Sequence, residues 1–221
     1  MNKGIFIAGV GTDTGKTFIA ALIIKKLRSF GINAGYYKAA VSGGSGDAEY
    51  VCKIAGLNKV PHKLLSYIYE LPVSPHLAAN IEQNNLKIEK ISEDFENMKK
   101  EFDFITMEGS GGLICPLKVS NSEIIMQTDI IKSLNLDIIL CVPSELGTLN
   151  STILTSFYAN HNDLKIKGII MNNFEEDNFL HLDNKKMIEK LTGISVIACV
   201  PKDCNNLIIE ENKLIKLYGD V

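Results

Sequence analysis

Three short stretches of the chain place charged or hydroxylic side chains where apolar runs end. The first is Gly9-Val10-Gly11-Thr12-Asp13-Thr14-Gly15-Lys16-Thr17. Its glycines let backbone N–H groups turn toward an anion, and the helix expected after it adds a favourable dipole at its amino end. Lys16 is placed to reach the outer phosphates of a nucleotide, and the Thr17 hydroxyl to ligate magnesium. The spacing departs from the usual G-x-x-x-x-G-K-[ST], because the residue five before Gly15 is Val10 and one extra residue separates Gly9 from Gly15. Asp13 has two readings, a carboxylate answered by a metal ion or a helix cap.

The second stretch is Gly35-Tyr36-Tyr37-Lys38-Ala39-Ala40-Val41-Ser42-Gly43-Gly44. A lysine closing a buried apolar strand is costly unless an anion neutralises it, which makes Lys38 a candidate ligand-binding cation. Ser42 with two glycines after it forms a loop able to approach a ligand closely. Asp47 follows and, taken alone, reads as a cap for a helix continuing through Ala48, Glu49 and Tyr50. The third stretch, Phe104-Ile105-Thr106-Met107-Glu108-Gly109-Ser110-Gly111-Gly112, sets an acid at a strand end before a flexible loop, the place of a metal-associated carboxylate beside a phosphate loop.

The elements that must hold these groups are legible as alternating patterns. Short continuous apolar runs at residues 5–8, 34–39, 104–107, 138–142, 167–171 and 196–200 read as strands covered on both faces. Residues 17–30 read as a helix stopped by Gly31, and residues 149–159 as another. Ile88, Ile91, Phe95, Met98 and Phe102 step by three and four, which is an amphipathic helix. Asn-rich spots near Asn84, Asn172 and Asn205 read as turns, and residues 57–85 give no clear element. Interleaved helices and buried strands imply an α/β fold with a single doubly wound, mostly parallel sheet, expected as one domain over residues 1–221. Ligands in such a sheet sit beyond the carboxyl ends of the strands, where the three stretches lie.

Composition excludes some functions. With 46% hydrophobic and 22% charged residues and a formal net charge of -3, the chain is an ordinary soluble type with no basic field for nucleic acid or an anionic membrane. The apolar stretch near Met1 is too short for a signal peptide or a membrane span. Five cysteines without a C-x-x-C pair read as free, buried thiols of a reducing cytoplasm rather than a zinc site, and the four histidines form no H-E-x-x-H cluster.

Taken together, G-V-G-T-D-T-G-K-T, Y-K-A-A-V-S-G, Ser74-Pro75-His76, E-G-S-G-G with Pro116-Leu117, Leu146-Gly147-Thr148-Leu149-Asn150 and Gly168-Ile169-Ile170-Met171-Asn172-Asn173 resemble the dethiobiotin synthetases, in family order over roughly residues 4–203. The resemblance implies a fold of the P-loop nucleotide-hydrolase type and a ligase of biotin biosynthesis. Such an enzyme uses Mg2+ and ATP to close a cyclic urea on 7,8-diaminopelargonic acid with carbon dioxide. By position it implies that Asp13, Thr14, Gly15, Lys16, Thr17 and Phe18 hold ATP, with Gly109, Ser110 and Gly111 beside it. It implies Thr17, Asp47 and Glu108 as magnesium ligands, Lys38 as the active-site lysine working with Lys16 and Thr12, and Ser42 as a substrate contact. It further implies Asn172 as the adenine reader, with Asn173 and Pro201-Lys202-Asp203 beside the base, and Leu146 to Asn150 touching substrate across a homodimer interface. Two departures stand out: Ala39 replaces the usual proline after the lysine, and the stretch from Ser42 to Asp47 is short.

Two other classes share the deviant loop. A partition-type ATPase carries an extra lysine early in it, where this chain has Gly9-Val10-Gly11-Thr12. A cobyrinate-type amidoligase carries a glutaminase domain, for which 221 residues leave no room.

Overall fold

The computed structural model describes residues 4–219. Its centre is a seven-stranded sheet in the order β3-β2-β4-β1-β7-β8-β9, every pair parallel. The strands are β1 (Gly4–Gly9), β2 (Ala34–Ser42), β3 (Leu65–Tyr69), β4 (Phe104–Glu108), β7 (Asp137–Pro143), β8 (Ile166–Asn172) and β9 (Val196–Val200). A hairpin of β5 (Pro116–Val119) and β6 (Ile124–Met126) stands apart from the sheet. The helices are α1 (Lys16–Ser29), α2 (Gly46–Ala55), α3 (Pro75–Ile81), α4 (Ile88–Glu101), α5 (Gln127–Ser133), α6 (Thr148–His161), α7 (Phe179–Thr192) and α8 (Glu211–Lys216), with a 3-10 turn at Pro61–Leu64.

All six residues of β1 are buried, as an uninterrupted apolar run in a doubly covered sheet requires. Helix α1 buries Ile19, Ala20, Ala21, Leu22, Ile23, Ile24 and Leu27, because α2, α8 and the sheet enclose it. It ends as the sequence predicts. Gly31 takes φ 82, its N–H reaches Arg28 O and the Ile32 N–H reaches Leu27 O, the pair of bonds that closes a helix on a left-handed residue. The stripe on α4 also behaves as its spacing predicts, since Ile91, Phe95 and Met98 are buried and Phe95 meets the Tyr37 ring at 5.7 Å.

Residues 57–85 hold the 3-10 turn, edge strand β3 and α3. The pattern was weak because β3 is half covered, with burial alternating along it. Asn172 is not a turn residue; it is the buried last residue of β8. Cys115 and Cys141 are buried and all five cysteines are free, but Cys52, Cys199 and Cys204 are only half-buried, since Cys199 sits on edge strand β9. No helix among the described residues is long and apolar enough to cross a membrane.

Candidate active site

The phosphate loop joins β1 to α1. Gly15 takes φ 90 and caps α1 without a side-chain hydrogen bond, so the first-turn N–H groups of that helix stay open toward the cleft. Lys16 Nζ donates to Gly11 O at 2.9 Å. Burial pushes the Lys16 ammonium below its ordinary range, against the pull of Glu108. Asp13 is exposed at φ 57 and is not the helix cap.

Strand pairing brings the next two groups together. Lys38 stands opposite Glu108 where β2 pairs with β4. Lys38 Nζ donates to Glu108 Oε1 at 2.9 Å and to Asp47 Oδ2 at 2.5 Å. The Thr17 hydroxyl donates to Glu108 Oε1 at 2.8 Å and lies 3.3 Å from Asp47 Oδ1. Asp47 does not cap α2, whose cap is Ser45; it lies in the first turn with its carboxylate turned into the cleft. Burial alone would depress the Lys38 ammonium, but Glu108 and Asp47 outweigh it and hold its pKa above the ordinary lysine value.

These residues line one cleft of about 1100 Å³ with Thr12, Asp13, Gly15, Lys16, Phe18, Ser42, Ser110 and Gly111. Ser42 Oγ is buried and has no hydrogen-bond partner among the described residues. The lining also includes the apolar side chains of Pro72, Val73, Pro75, Ile114 and Pro116, with Ser74 among them. Tyr50 and Cys115 also line the cleft without having been singled out in the sequence.

Other predicted residues stand behind or away from this space. Thr14 and Gly109 are buried beneath their loops, Gly109 so close to the Phe6 ring that a Cβ would lie 2.8 Å from it. Asn172 Nδ2 donates to Thr14 O at 3.2 Å, and its Oδ1 is buried without a partner among the described residues. Asn173, Pro201, Lys202 and Asp203 are exposed beyond the ends of β8 and β9. Leu146 and Asn150 do not line the cleft of their own chain; Leu146 is 87% exposed.

Sequence reasoning missed the supports of the loops. Gln127 accepts from Ser110 N at 2.6 Å and donates to Gly112 O at 3.0 Å, clamping the loop after β4. Cys141 Sγ donates to Thr14 O at 3.1 Å, with its thiol pushed up to about 12 by burial. Tyr36 donates to Glu108 Oε2 at 2.7 Å. The period of two along β2 is the one available signal, since it places Tyr36 on the face of Lys38.

A helix opened by G-K-T at the end of a central parallel strand, with an acid at the end of the neighbouring strand, defines a P-loop nucleotide-binding protein. A family model described as an AAA domain matches residues 3–205. The ATP-dependent dethiobiotin synthetase BioD of Clostridium perfringens (strain 13 / Type A) is 48% identical over 210 residues, covering 91% of this chain and 92% of that protein. The BioD of Clostridium botulinum (strain 657 / Type Ba4) is 45% identical, covering 100% of both. The chain belongs to the ATP-dependent dethiobiotin synthetase family, ligases that form carbon–nitrogen bonds in biotin biosynthesis. Among solved structures, the MinD cell division protein of Aquifex aeolicus superposes with TM-score 0.57 at 15% identity, covering 98% of this chain and 86% of that one. A ParA family ATPase from Chlorobium tepidum TLS superposes at 0.56 and 12%, covering 99% and 89%. At such identities the likeness is one of fold alone.

Proposed function

We propose that this cleft carries out the Mg-ATP-dependent ring closure of 7,8-diaminopelargonic acid with carbon dioxide, giving dethiobiotin, ADP and phosphate, through one synthetase domain spanning residues 1–221. The observation that supports it best is the meeting of Thr17, Lys38, Asp47 and Glu108 within hydrogen-bond distance, in a cleft shared with the Ser42 hydroxyl, which has no partner among the described residues. One amine of the diamine adds to carbon dioxide and loses a proton, forming a carbamate. The carbamate oxygen attacks the γ-phosphorus of ATP and ADP leaves. The second amine then attacks the carbon of the resulting carbamic-phosphoric anhydride, the ring closes and phosphate leaves with loss of a proton. Lys16 and Lys38 hold two anions together that would otherwise repel, and the Thr12 and Ser42 hydroxyls orient the carbamate or diamine. No protein nucleophile is needed.

Thr17, Asp47 and Glu108 offer a hydroxyl and two carboxylates, a hard oxygen set that fits magnesium once phosphate oxygens and water complete the shell. Among the described residues there is no group of three His, Cys, Asp or Glu that could hold a metal ion. When bound, magnesium supplies neutralisation of the β- and γ-phosphates. Asp13, Thr14, Gly15 and Phe18 would frame the phosphates, with Gly109, Ser110 and Gly111 on their far side. Asn172, through its free Oδ1, would read adenine beside Asn173 and the 201–203 loop. Five free thiols suit the cytoplasm.

A homodimer accounts for the exposed apolar stripe on α6 and α7. Leu154 and Phe157 are 60% and 70% exposed on the α6 face that begins at Asn150, and Phe179 is 84% exposed on α7. The double change Leu154→Glu and Phe157→Glu is expected to yield monomers in sedimentation analysis, each buried aromatic or aliphatic anchor being worth about 2 kcal/mol or more. It should raise KM for the diamine with little change in ATP affinity. A dimer that survives unchanged would refute this interface.

The reaction itself is tested by phosphate release from Mg-ATP and bicarbonate with and without the diamine. Release that depends on the diamine, with a product of dethiobiotin mass, is expected. Hydrolysis indifferent to the diamine would refute the assignment and favour a partner-regulated ATPase.

A further inference from the structure

The two oxygens of Glu108 have different tasks. Oε1 accepts from Thr17 Oγ1 at 2.8 Å and from Lys38 Nζ at 2.9 Å, whereas Oε2 accepts only from the phenol of Tyr36, at 2.7 Å, among the described residues. Both partners of this last bond are inside the protein, Tyr36 at 0% and Glu108 at 2% exposure. The pairing of β2 with β4 creates it: Lys38 stands opposite Glu108 and Tyr36 opposite Thr106, and residues two apart share a face. Tyr36 does not line the cleft.

We propose that Tyr36 is a positioning residue for the metal–nucleotide site, holding the Glu108 carboxylate so that Oε1 is presented to Thr17 and the metal. The inference rests on the proposed magnesium role of Glu108. The terminal torsion of a glutamate is broad, so packing fixes the carboxylate plane poorly. A hydrogen bond to the charged oxygen is strong and directional, and fixes it well. Hydroxyl donors behind a carboxylate ligand tune metal affinity in the same way.

Tyr37 provides the control. It is as buried as Tyr36 but faces away from the site, and its hydroxyl meets Ser66 Oγ at 2.5 Å and Ile91 O at 3.2 Å. Removing either hydroxyl should cost stability; only one removal should reach the metal. The experiment is a Mg2+ titration of calorimetric binding of a non-hydrolysable ATP analogue, with thermal unfolding of each variant recorded alongside. Tyr36→Phe is expected to raise the Mg2+ midpoint about tenfold, the low end for loss of a partner behind a metal ligand. Tyr37→Phe is expected to lower the unfolding temperature while leaving the Mg2+ midpoint where it was. A 4-aminophenylalanine at position 36, which keeps a donor on the ring, is expected to restore the wild-type midpoint. A Tyr36→Phe midpoint within twofold of wild type, with Glu108→Gln shifted, would overturn the role of Tyr36 alone. An unshifted Glu108→Gln would overturn the magnesium reading on which it rests.

Discussion

Lys38→Ala is expected to lower kcat for dethiobiotin formation by about 10²–10³, the usual cost of removing one donor from a developing anion. The side chain is 6% exposed and its ammonium bridges Glu108 at 2.9 Å and Asp47 at 2.5 Å. In the proposed reaction its ammonium would supply positive charge where carbamate and γ-phosphate must meet. ATP affinity should fall less than kcat, because Lys16 and the open amino end of α1 still hold the phosphates. The variant also loses stability. Breaking a buried ion pair costs about 3–5 kcal/mol, and the low end applies because the Asp47 side chain is 37% exposed and water screens it. Added Mg2+ should recover part of that loss by replacing the missing cation between the carboxylates. Lys38→Arg should not restore turnover, since a planar guanidinium does not fit a space shaped for an ammonium. Single-turnover phosphate release with the diamine and bicarbonate, together with thermal unfolding with and without Mg2+, checks each part. A kcat within tenfold of wild type would contradict the electrostatic role.

Glu108 and Lys16 were legible in the sequence because each is the polar end of a short apolar strand or of the loop after one. Lys38 was legible as the one charge in an apolar run, but the run continues through Ala39, Ala40 and Val41 to Ser42. The lysine therefore sits within β2 and not at its end, answered by Glu108 and Asp47. Asp47 was only half legible. Its local pattern fits a helix cap, and its partners Thr17 and Lys38 approach it through the packing of α2 against α1, which no local spacing encodes. The supports escaped for the same reason at longer range. Tyr36 and Glu108 are separated by 72 positions, and Cys141 and Thr14 by 127. A tyrosine and a cysteine inside apolar runs read as core until the partner strand is known. Edge strand β3 and the β5–β6 hairpin were missed because Ser66 interrupts β3, Lys118 interrupts β5 and β6 has only three residues, so none presents the unbroken apolar run that edge strand β9 does. The fold alone also leaves the activity open, since proteins 12% and 15% identical share it. The loop without an early lysine, and Lys38 with Ser42 beyond it, are what separate this chain from the partition-type ATPases.

Gly15→Ala is expected to weaken ATP binding by about a hundredfold, through two costs that act on one residue. Gly15 takes φ 90 and ψ 22, a left-handed conformation that an L side chain holds at about 1–2 kcal/mol. A Cβ there would lie 2.0 Å from Asn172 Nδ2, so the carboxamide must move and give up its bond to Thr14 O, worth about 1 kcal/mol. Without nucleotide the loop backbone can shift at its exposed residues Thr12 and Asp13 and shed most of this strain, so the unfolding temperature should change little. With nucleotide it must return to the strained form, because Lys16 and Thr17 follow directly and their positions depend on it. The sum, about 2–3 kcal/mol, therefore falls on binding, where 1.4 kcal/mol is a factor of ten and the upper end gives the hundredfold. Calorimetric titration with a non-hydrolysable ATP analogue, paired with thermal unfolding of the free protein, separates the two effects. A dissociation constant within threefold of wild type would mean that the loop binds phosphate in some other conformation. Pairing the change with Asn172→Ala removes the clash and leaves the backbone strain, so the increment of that second change on the Gly15→Ala background measures how far Asn172 ties the adenine side of the site to the phosphate loop.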